Sequence, residues 1–188
     1  MNIETLDRLN RAIQFATNAH EGQYRKNTTI PYITHPFMVG TLLTEAGCAS
    51  ELIMAGYLHD TLEDTAVTEN EILENFGEEV LELVKGSSEP NRALSWEERK
   101  KHTIKFLLST ATEEMCMVAC ADKLHNVRSI VLDYAIHHDA IWSRFNRGKE
   151  QQAWYYTSLV DVLTKRIPDF PLLAMLEVEV NKLFKKST

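Results

Sequence analysis

Glycine and proline are scarce in this chain, with 7 Gly and 5 Pro among 188 residues. Both punctuate structure, so their scarcity leaves little room for many short strands and tight turns and favours long helices. Cysteine is scarce too. Cys48, Cys116 and Cys120 make an odd count without the spacing of a disulfide framework, which suits a reducing cytoplasm. No stretch reaches the roughly 18 apolar residues of a membrane span. The opening Met1-Asn2-Ile3-Glu4 lacks a basic region followed by an apolar run, so no secretory signal is visible. An excess of positive charge is also missing. The formal net charge is -7, and an acidic chain repels nucleic-acid backbones unless its cations cluster. These absences predict a cytoplasmic protein whose partner is neither a membrane nor a polymeric nucleic acid. A small anionic ligand stays open, because only the local field at its site matters.

What is present suits one domain over residues 1–188. Ile3, Leu6, Leu9, Ile13 and Ala16 mark an amphipathic helix over 3–20, ended by Gly22. A loop over 23–34 follows. A second helix starts at His35-Pro36, where proline suits the first turn, and stops at Gly47. Ser50 caps a third over 51–63, apolar on nearly every side and therefore central and buried. Thr68 and Glu71 form a capping box for a fourth helix, and residues 77–86 give a fifth. Residues 87–95 read as a long loop and 96–109 as helix. Thr112 caps a helix running through Val118, Asp122, Val127 and Ile130, with Glu113 and Glu114 in its first turn. Residues 141–148 read as irregular, and 149–166 and 170–185 as two last helices. The expectation is an all-α bundle of eight to ten helices.

One of these helices carries charge where apolar packing is expected. His59 and Asp60 fall in the most apolar helix of the chain, and a carboxylate taken out of water needs a partner or a metal. Taken alone, the dipeptide reads as a hydrogen-bonded structural pair, since adjacent helical residues point about 100° apart. Its surroundings change that reading. Glu63 and Asp64 follow one turn on, which puts four ionisable groups into six residues. His35 opens another helix. Asp122 interrupts an apolar run, with Asn126 and Ser129 on its face. Two imidazoles and two carboxylates suit Mn²⁺, Fe²⁺ or Zn²⁺ better than Ca²⁺. Such an ion lowers the pKa of bound water, and a nearby carboxylate can take or direct the proton.

In the order His35, His59-Asp60, Asp122, these residues resemble the H…HD…D pattern of the HD phosphohydrolase superfamily. Longer blocks sharpen the likeness: Ala19-His20-x-Gly22-Gln23-x-Arg25-Lys26, Pro31-Tyr32-Ile33-x-His35-Pro36, Leu58 through Thr65, Phe76-Gly77, and Ala121 through Arg128. Across residues 12–130 they resemble the hydrolase domain of the RelA/SpoT family. The resemblance implies an HD-domain helical bundle that removes the 3′-pyrophosphate from guanosine tetra- and pentaphosphate, using one divalent ion, Mn²⁺. It implies His35, His59, Asp60 and Asp122 as metal ligands. It implies Glu63 and Asp64 as the catalytic carboxylates, and Arg25, Lys26, Asn126 and Arg128 at the substrate. Lys26, Lys123 and Arg128 are candidate cations for the pyrophosphate, and Arg25 can stack on a base. Tyr155, in the run Gly148 to Tyr156, is similar in place to a substrate tyrosine of small HD hydrolases. The implied partner is a small nucleotide, and a homo-oligomer is left open. With its end at Thr188 the chain resembles a stand-alone hydrolase without synthetase or regulatory parts.

Asn27-Thr28-Thr29-Ile30 stands where the family has a glycine-containing stretch. The base therefore stays open. An adenosine alarmone, a 5′-nucleotide or the 2′-phosphate of NADPH is an alternative substrate, and a sensor that binds alarmone without hydrolysis is an alternative function. His20 reads as a structural hydrogen-bonder, and His125 as lying behind the site or exposed. The second pair, His138-Asp139, lies in a polar stretch and reads as no metal site. Cys116 and Cys120 read as packing rather than zinc ligands.

Overall fold

The computed structural model describes residues 2–88, 93–145 and 147–185. Among the described residues there are ten α-helices, one 3₁₀ segment and no strand. A lone antiparallel bridge pairs Tyr24 with Pro31. The class and the number of helices agree with the sequence reading. No helix among the described residues is long and apolar enough to cross a membrane.

α1 (Ile3–Ala19) starts at Asn2, whose side chain accepts from the Thr5 amide at 2.8 Å. It buries Leu9, Ala12 and Ala16. In the loop beyond it Asn27 takes φ 60°, a left-handed conformation that asparagine tolerates better than most residues. Asn27 thus supplies this segment's left-handed turn without glycine.

α2 (Thr34–Glu45) and α3 (Ser50–Leu58) pack closely. A Cβ on Gly56 would stand 3.2 Å from the Gly40 backbone and 2.6 Å from the Leu43 side chain, and one on Gly40 would land on the Tyr57 ring. This approach sets the helix carrying His35 against the helix leading to His59. Gly56→Ala is therefore expected to push the pair apart. Overpacking of this kind costs about 1–3 kcal/mol, which is a Tm loss of roughly 2–12 °C for a chain of this size. A thermal melt checks it, and an unchanged Tm would show that the two helices yield freely.

The helix predicted over 51–63 is broken. α3 stops at Leu58, and a single turn, α4 (Thr61–Asp64), follows. The last carbonyls of a helix lack internal partners, and here side chains take them. His59 Nδ1 bonds the Gly56 carbonyl at 2.9 Å, and the Thr61 hydroxyl donates to the Leu58 carbonyl at 2.7 Å. Such local side-chain bonds compete with helix continuation. Ser50 is the first helical residue rather than the cap, and its hydroxyl donates to Glu51 at 2.8 Å.

α5 (Glu69–Phe76) has the predicted Thr68–Glu71 capping box. α6 (Glu78–Ser87) and α7 (Trp96–Ser109) follow, and a second capping box, Ser95–Glu98, opens α7. The long loop predicted over 87–95 falls partly on residues 89–92, outside the described residues. α8 (Glu113–His137) is capped by Thr112 as predicted but continues past Ile130 for a total of 25 residues. A 3₁₀ segment, His138–Arg144, replaces part of the stretch predicted as irregular. α9 (Lys149–Arg166) and α10 (Pro171–Phe184) complete the bundle.

α3 and α8 form its centre. α3 packs on α1, α2, α6 and α8, while α8 also meets α2, α6, α9 and α10. Met54, Leu58, Val118 and Val127 are fully buried there, each contributing about 1.5–3 kcal/mol of burial. The site-bearing ends of α2 and α3 and the site-bearing middle of α8 are thus held by the best-packed part of the molecule.

Candidate metal centre

His35 lies in the first turn of α2, His59 and Asp60 at the break after α3, and Asp122 in the middle of α8. The break lets two adjacent residues aim at one point, which a continuous helix would forbid. His59 Nε2 stands 3.0 Å from Asp60 Oδ2, 3.2 Å from His35 Nε2 and 3.8 Å from Asp122 Oδ1. His35 Nε2 stands 3.5 Å from Asp60 Oδ2 and 3.2 Å from Asp122 Oδ1. Donors held about 2.0–2.2 Å from a common ion lie roughly 3–3.5 Å apart, so the spacing fits a small divalent cation. The chemistry fits as well. Ligand atoms of His35, His59 and Asp60 lie within 4.8 Å of one another, and Asp122 Oδ1 adjoins both imidazoles, so four electron-rich atoms gather in a largely buried place, an arrangement that needs positive charge among them.

The electrostatics carry the same message. Burial works against a charged His59, yet Asp60 and Asp122 outweigh it and push the imidazole up to about 9. Burial would raise both carboxyls, but His59 holds Asp60 far below the usual carboxylate range, and Lys123 and His35 do so for Asp122. The cage thus favours a cation.

A ring of hydrogen bonds orients the four groups, as metal-facing side chains require. The Gly56 carbonyl fixes His59 Nδ1 as the protonated nitrogen and leaves Nε2 facing the cluster. His35 Nδ1 meets His125 Nδ1 at 2.6 Å, with the rings stacked at 4.8 Å. Burial, then His35 and Arg25, push His125 down to about 4, so its uncharged ring can accept the His35 proton. The Tyr32 hydroxyl donates to Asp60 Oδ2 at 2.6 Å; burial and Asp60 raise its pKa well above the ordinary phenol value. Lys123 donates to Asp122 Oδ2 and Asn126 to Asp122 Oδ1, both at 2.6 Å.

A small cavity opens on this cluster, and a larger one adjoins it across Tyr32 and Asn126. The smaller, about 180 Å³, is lined by His35, Asp60, Glu63 and Asp122, together with Arg99 and Lys100 from α7. The larger, about 540 Å³, is lined by Arg25, Lys26, His125, Ser129, Arg144 and Tyr156 among others. Tyr32 and Asn126 belong to both walls. A groove of about 590 Å³ between α1 and α5 is wider, but none of the clustered residues lines it and its Arg8 is committed to Glu51 at 2.7 Å.

A family model described as HD domain matches residues 12–150. The chain belongs to the HD-domain family. Among curated HD-domain relatives, it is 38% identical over 125 residues to a guanosine-3′,5′-bis(diphosphate) 3′-pyrophosphohydrolase of Aquifex aeolicus, covering 66% of this chain and 18% of that protein. It is 34% identical over 132 residues to the bifunctional (p)ppGpp synthase/hydrolase SpoT of Escherichia coli, covering 68% and 18%. The chain therefore spans less than a fifth of the length of these relatives. A crystal structure of lmo0812 from Listeria monocytogenes EGD-e superposes with a TM-score of 0.74 at 36% identity, covering 81% of this chain and 99% of that one. A structure described as a metazoan ortholog of SpoT shares the fold, with a TM-score of 0.71 at 24% identity over 94% and 93% of the chains.

In this HD-domain protein the structure brings most, but not all, of the predicted residues to the cleft. Arg25 donates to Asn126 Oδ1 at 3.1 Å and lies over the Tyr32 ring at 5.7 Å. Lys26 donates to the Arg144 carbonyl at 2.8 Å. Glu63 lines the small cavity, whereas Asp64 is exposed with Oδ2 3.4 Å from the Tyr32 hydroxyl. Two placements differ from expectation. Arg128 lines neither cavity; it pairs with Glu179 at 2.9 Å and ties α8 to α10. Tyr155 is buried in the core against Trp96, with ring centroids 6.0 Å apart, and its neighbour Tyr156 lines the larger cavity. One residue along a helix is a turn of about 100°, which exchanges wall for core. Lys123, expected at the pyrophosphate, does line the small cavity and is bound to Asp122 there; burial opposes its charge, yet that carboxylate holds its pKa well above normal. His138-Asp139 belongs to the 3₁₀ segment, and Asp139 pairs with Lys149 at 3.1 Å. Sequence reasoning missed Tyr32, Arg99 and Lys100. Tyr32 was signalled by its place in the Pro31–Pro36 block; the two cations of α7 carried no signal.

Proposed function

We propose that the chain is a divalent-metal-dependent pyrophosphohydrolase acting on 3′-diphosphate nucleotides of the guanosine 3′,5′-bis(diphosphate) type. The observation that carries this reading is a metal-fitting cluster that opens into a small cavity with Arg99 and Lys100 on its wall, with a larger cavity adjoining it across Tyr32 and Asn126. The names of the curated relatives support the same chemistry.

His35, His59, Asp60 and Asp122 hold the ion, with Mn²⁺ the proposed metal. When bound, it supplies Lewis acidity toward a phosphoryl oxygen and toward water. Glu63, on the cavity wall, takes the proton of the attacking water. Asp64, through Tyr32, steadies that end of the site. The water oxygen bonds to the inner phosphorus of the 3′-diphosphate, the bond from that phosphorus to the 3′ oxygen breaks, pyrophosphate departs, and the 3′ oxygen takes the proton held by Glu63 to become a hydroxyl. Arg99 and Lys100 face the diphosphate, whose charge needs cations in an acidic chain. The larger cavity takes the nucleoside, with Arg25 and Lys26 at its phosphates and Asn126 at the junction.

The test is one panel with Mn²⁺: guanosine and adenosine 3′-diphosphate nucleotides, ordinary 5′-nucleotides and NADPH. Release of pyrophosphate from a 3′-diphosphate alone is the expected result. Release from none of them, with tight binding of one, would replace the hydrolase with a sensor.

A further inference from the structure

We infer that Gln23 is a positioning residue for the catalytic carboxylate Glu63, bracing the single turn that carries Glu63 and Asp64 against the wall of the metal centre. The inference rests on the role proposed above for that carboxylate. α4 has four residues, and a helix so short has no stability of its own. It is supported by the Asp64 amide on the Asp60 carbonyl at 2.8 Å and the Thr65 amide on the Thr61 carbonyl at 3.2 Å. The Asp64 carbonyl lies at the open end of that ladder. Gln23 reaches it from 41 positions away in sequence, Nε2 donating at 2.8 Å.

The direction of this bond orders the rest. A carbonyl only accepts, so the Gln23 amino group faces Asp64 and Oε1 faces His20. Oε1 lies 2.8 Å from His20 Nδ1, which therefore carries the proton. His20 is 3% exposed, and its ring packs on Tyr32 with centroids 5.0 Å apart. Tyr32 donates its hydroxyl to Asp60 at 2.6 Å and its amide to the Gln23 carbonyl at 2.9 Å. The contacts close a circuit. One arm runs from His20 through Gln23 to the α4 turn, and the other from His20 through Tyr32 to Asp60. A metal-facing and a water-facing carboxylate thereby share one frame. Gln23 lines neither cavity, so it acts through these partners and not on substrate.

The test uses Gln23→Ala and the near-isosteric Gln23→Glu in the full chain. Glutamate keeps the acceptor for His20 and loses the donor for Asp64. Misplacing a catalytic group by 1 Å can cost about 10²-fold, so both variants are expected to lower kcat on a 3′-diphosphate nucleotide by at least about 10-fold. KM and the Mn²⁺ requirement should stay within about 2-fold, because neither ligand contacts Gln23. In a Glu63→Gln background the same change should cost less than about 2-fold, since the positioned group is already gone. Independently of turnover, amide hydrogen exchange at Asp64 and Thr65 should quicken at least about 10-fold in Gln23→Ala, with α3 unaffected. Unaltered exchange at those amides overturns the brace, as does an undiminished loss in the Glu63→Gln background. If the wild-type chain cleaves no 3′-diphosphate nucleotide, the functional proposal falls and the exchange result alone decides the brace.

Discussion

Asp122→Asn is expected to abolish metal binding and turnover together, by more than the roughly 10–100-fold that loss of an outer hydrogen-bond partner costs. Asp122 Oδ1 faces His35 and His59, while Oδ2 holds Lys123. Asparagine keeps the volume and one acceptor but removes the charge that a divalent ion needs. Alanine would be a poorer test. It would leave the Lys123 ammonium with neither charge partner nor acceptor, where asparagine still offers a carboxamide oxygen; losing a buried pair outright costs about 3–5 kcal/mol, so loss of metal would be mixed with loss of fold. Thermal melts separate the two. In the wild type, Mn²⁺ at 100 times its Kd should add about 2.7 kcal/mol, a Tm rise of roughly 5–11 °C, and a chelator should reverse it. In Asp122→Asn that rise should vanish while the metal-free melt stays cooperative. A variant that keeps both the rise and wild-type turnover removes Asp122 from the ligand set.

Glu63→Gln is expected to do the opposite: turnover falls about 10²–10⁴-fold while the metal-dependent rise in Tm persists. Glu63 lines the small cavity beside His35, Asp60 and Asp122 but lies outside the four-atom cluster. A glutamine there can accept a hydrogen bond but cannot take a proton. Asp64 is exposed and leans on Tyr32, so Asp64→Asn is expected to cost only about 10-fold, the scale of a supporting contact. Pyrophosphate release against metal concentration measures both variants. Loss of the metal response in Glu63→Gln would make it a ligand, and an unchanged rate would pass its role to Asp64.

The helices were legible because apolar spacing and caps are local. Asn-, Thr- and Ser-capped starts at Asn2, Thr68, Ser95 and Thr112 all form, although the caps at Asn2 and Ser95 were not anticipated. The break at His59-Asp60 was not legible, because Leu58 and Leu62 continue the apolar pattern across it. What stops α3 is side-chain competition for two carbonyls, a matter of rotamers rather than periodicity. The four clustered residues could be proposed from the sequence because buried charge is costly wherever it falls. Their hydrogen-bond partners could not be sorted. Whether Lys123 serves a phosphate or Asp122, and whether Arg128 reaches the cleft or Glu179, depends on contacts 1 and 51 residues apart, and both look alike as charges in a row. Tyr155 and Tyr156 differ only by helical phase, which a pattern read to within a residue cannot settle.

The length of α8 has a consequence for how such a site can change. Asp122, Asn126, Ser129 and Asp133 recur at helical spacing along one rod, with the first on the small cavity and the last two on the larger. At 1.5 Å per residue, Asp133 lies about 16 Å along the axis from Asp122. On the proposed function the rod is a ruler, marking off a fixed distance between the bond to be cut and the far end of the nucleoside. Because each mark is a separate side chain on a rigid backbone, the far marks can be exchanged without moving the zero point. If the larger cavity holds the nucleoside, preference for one base over another can drift at Ser129 and Asp133 while the metal-facing end stays in place.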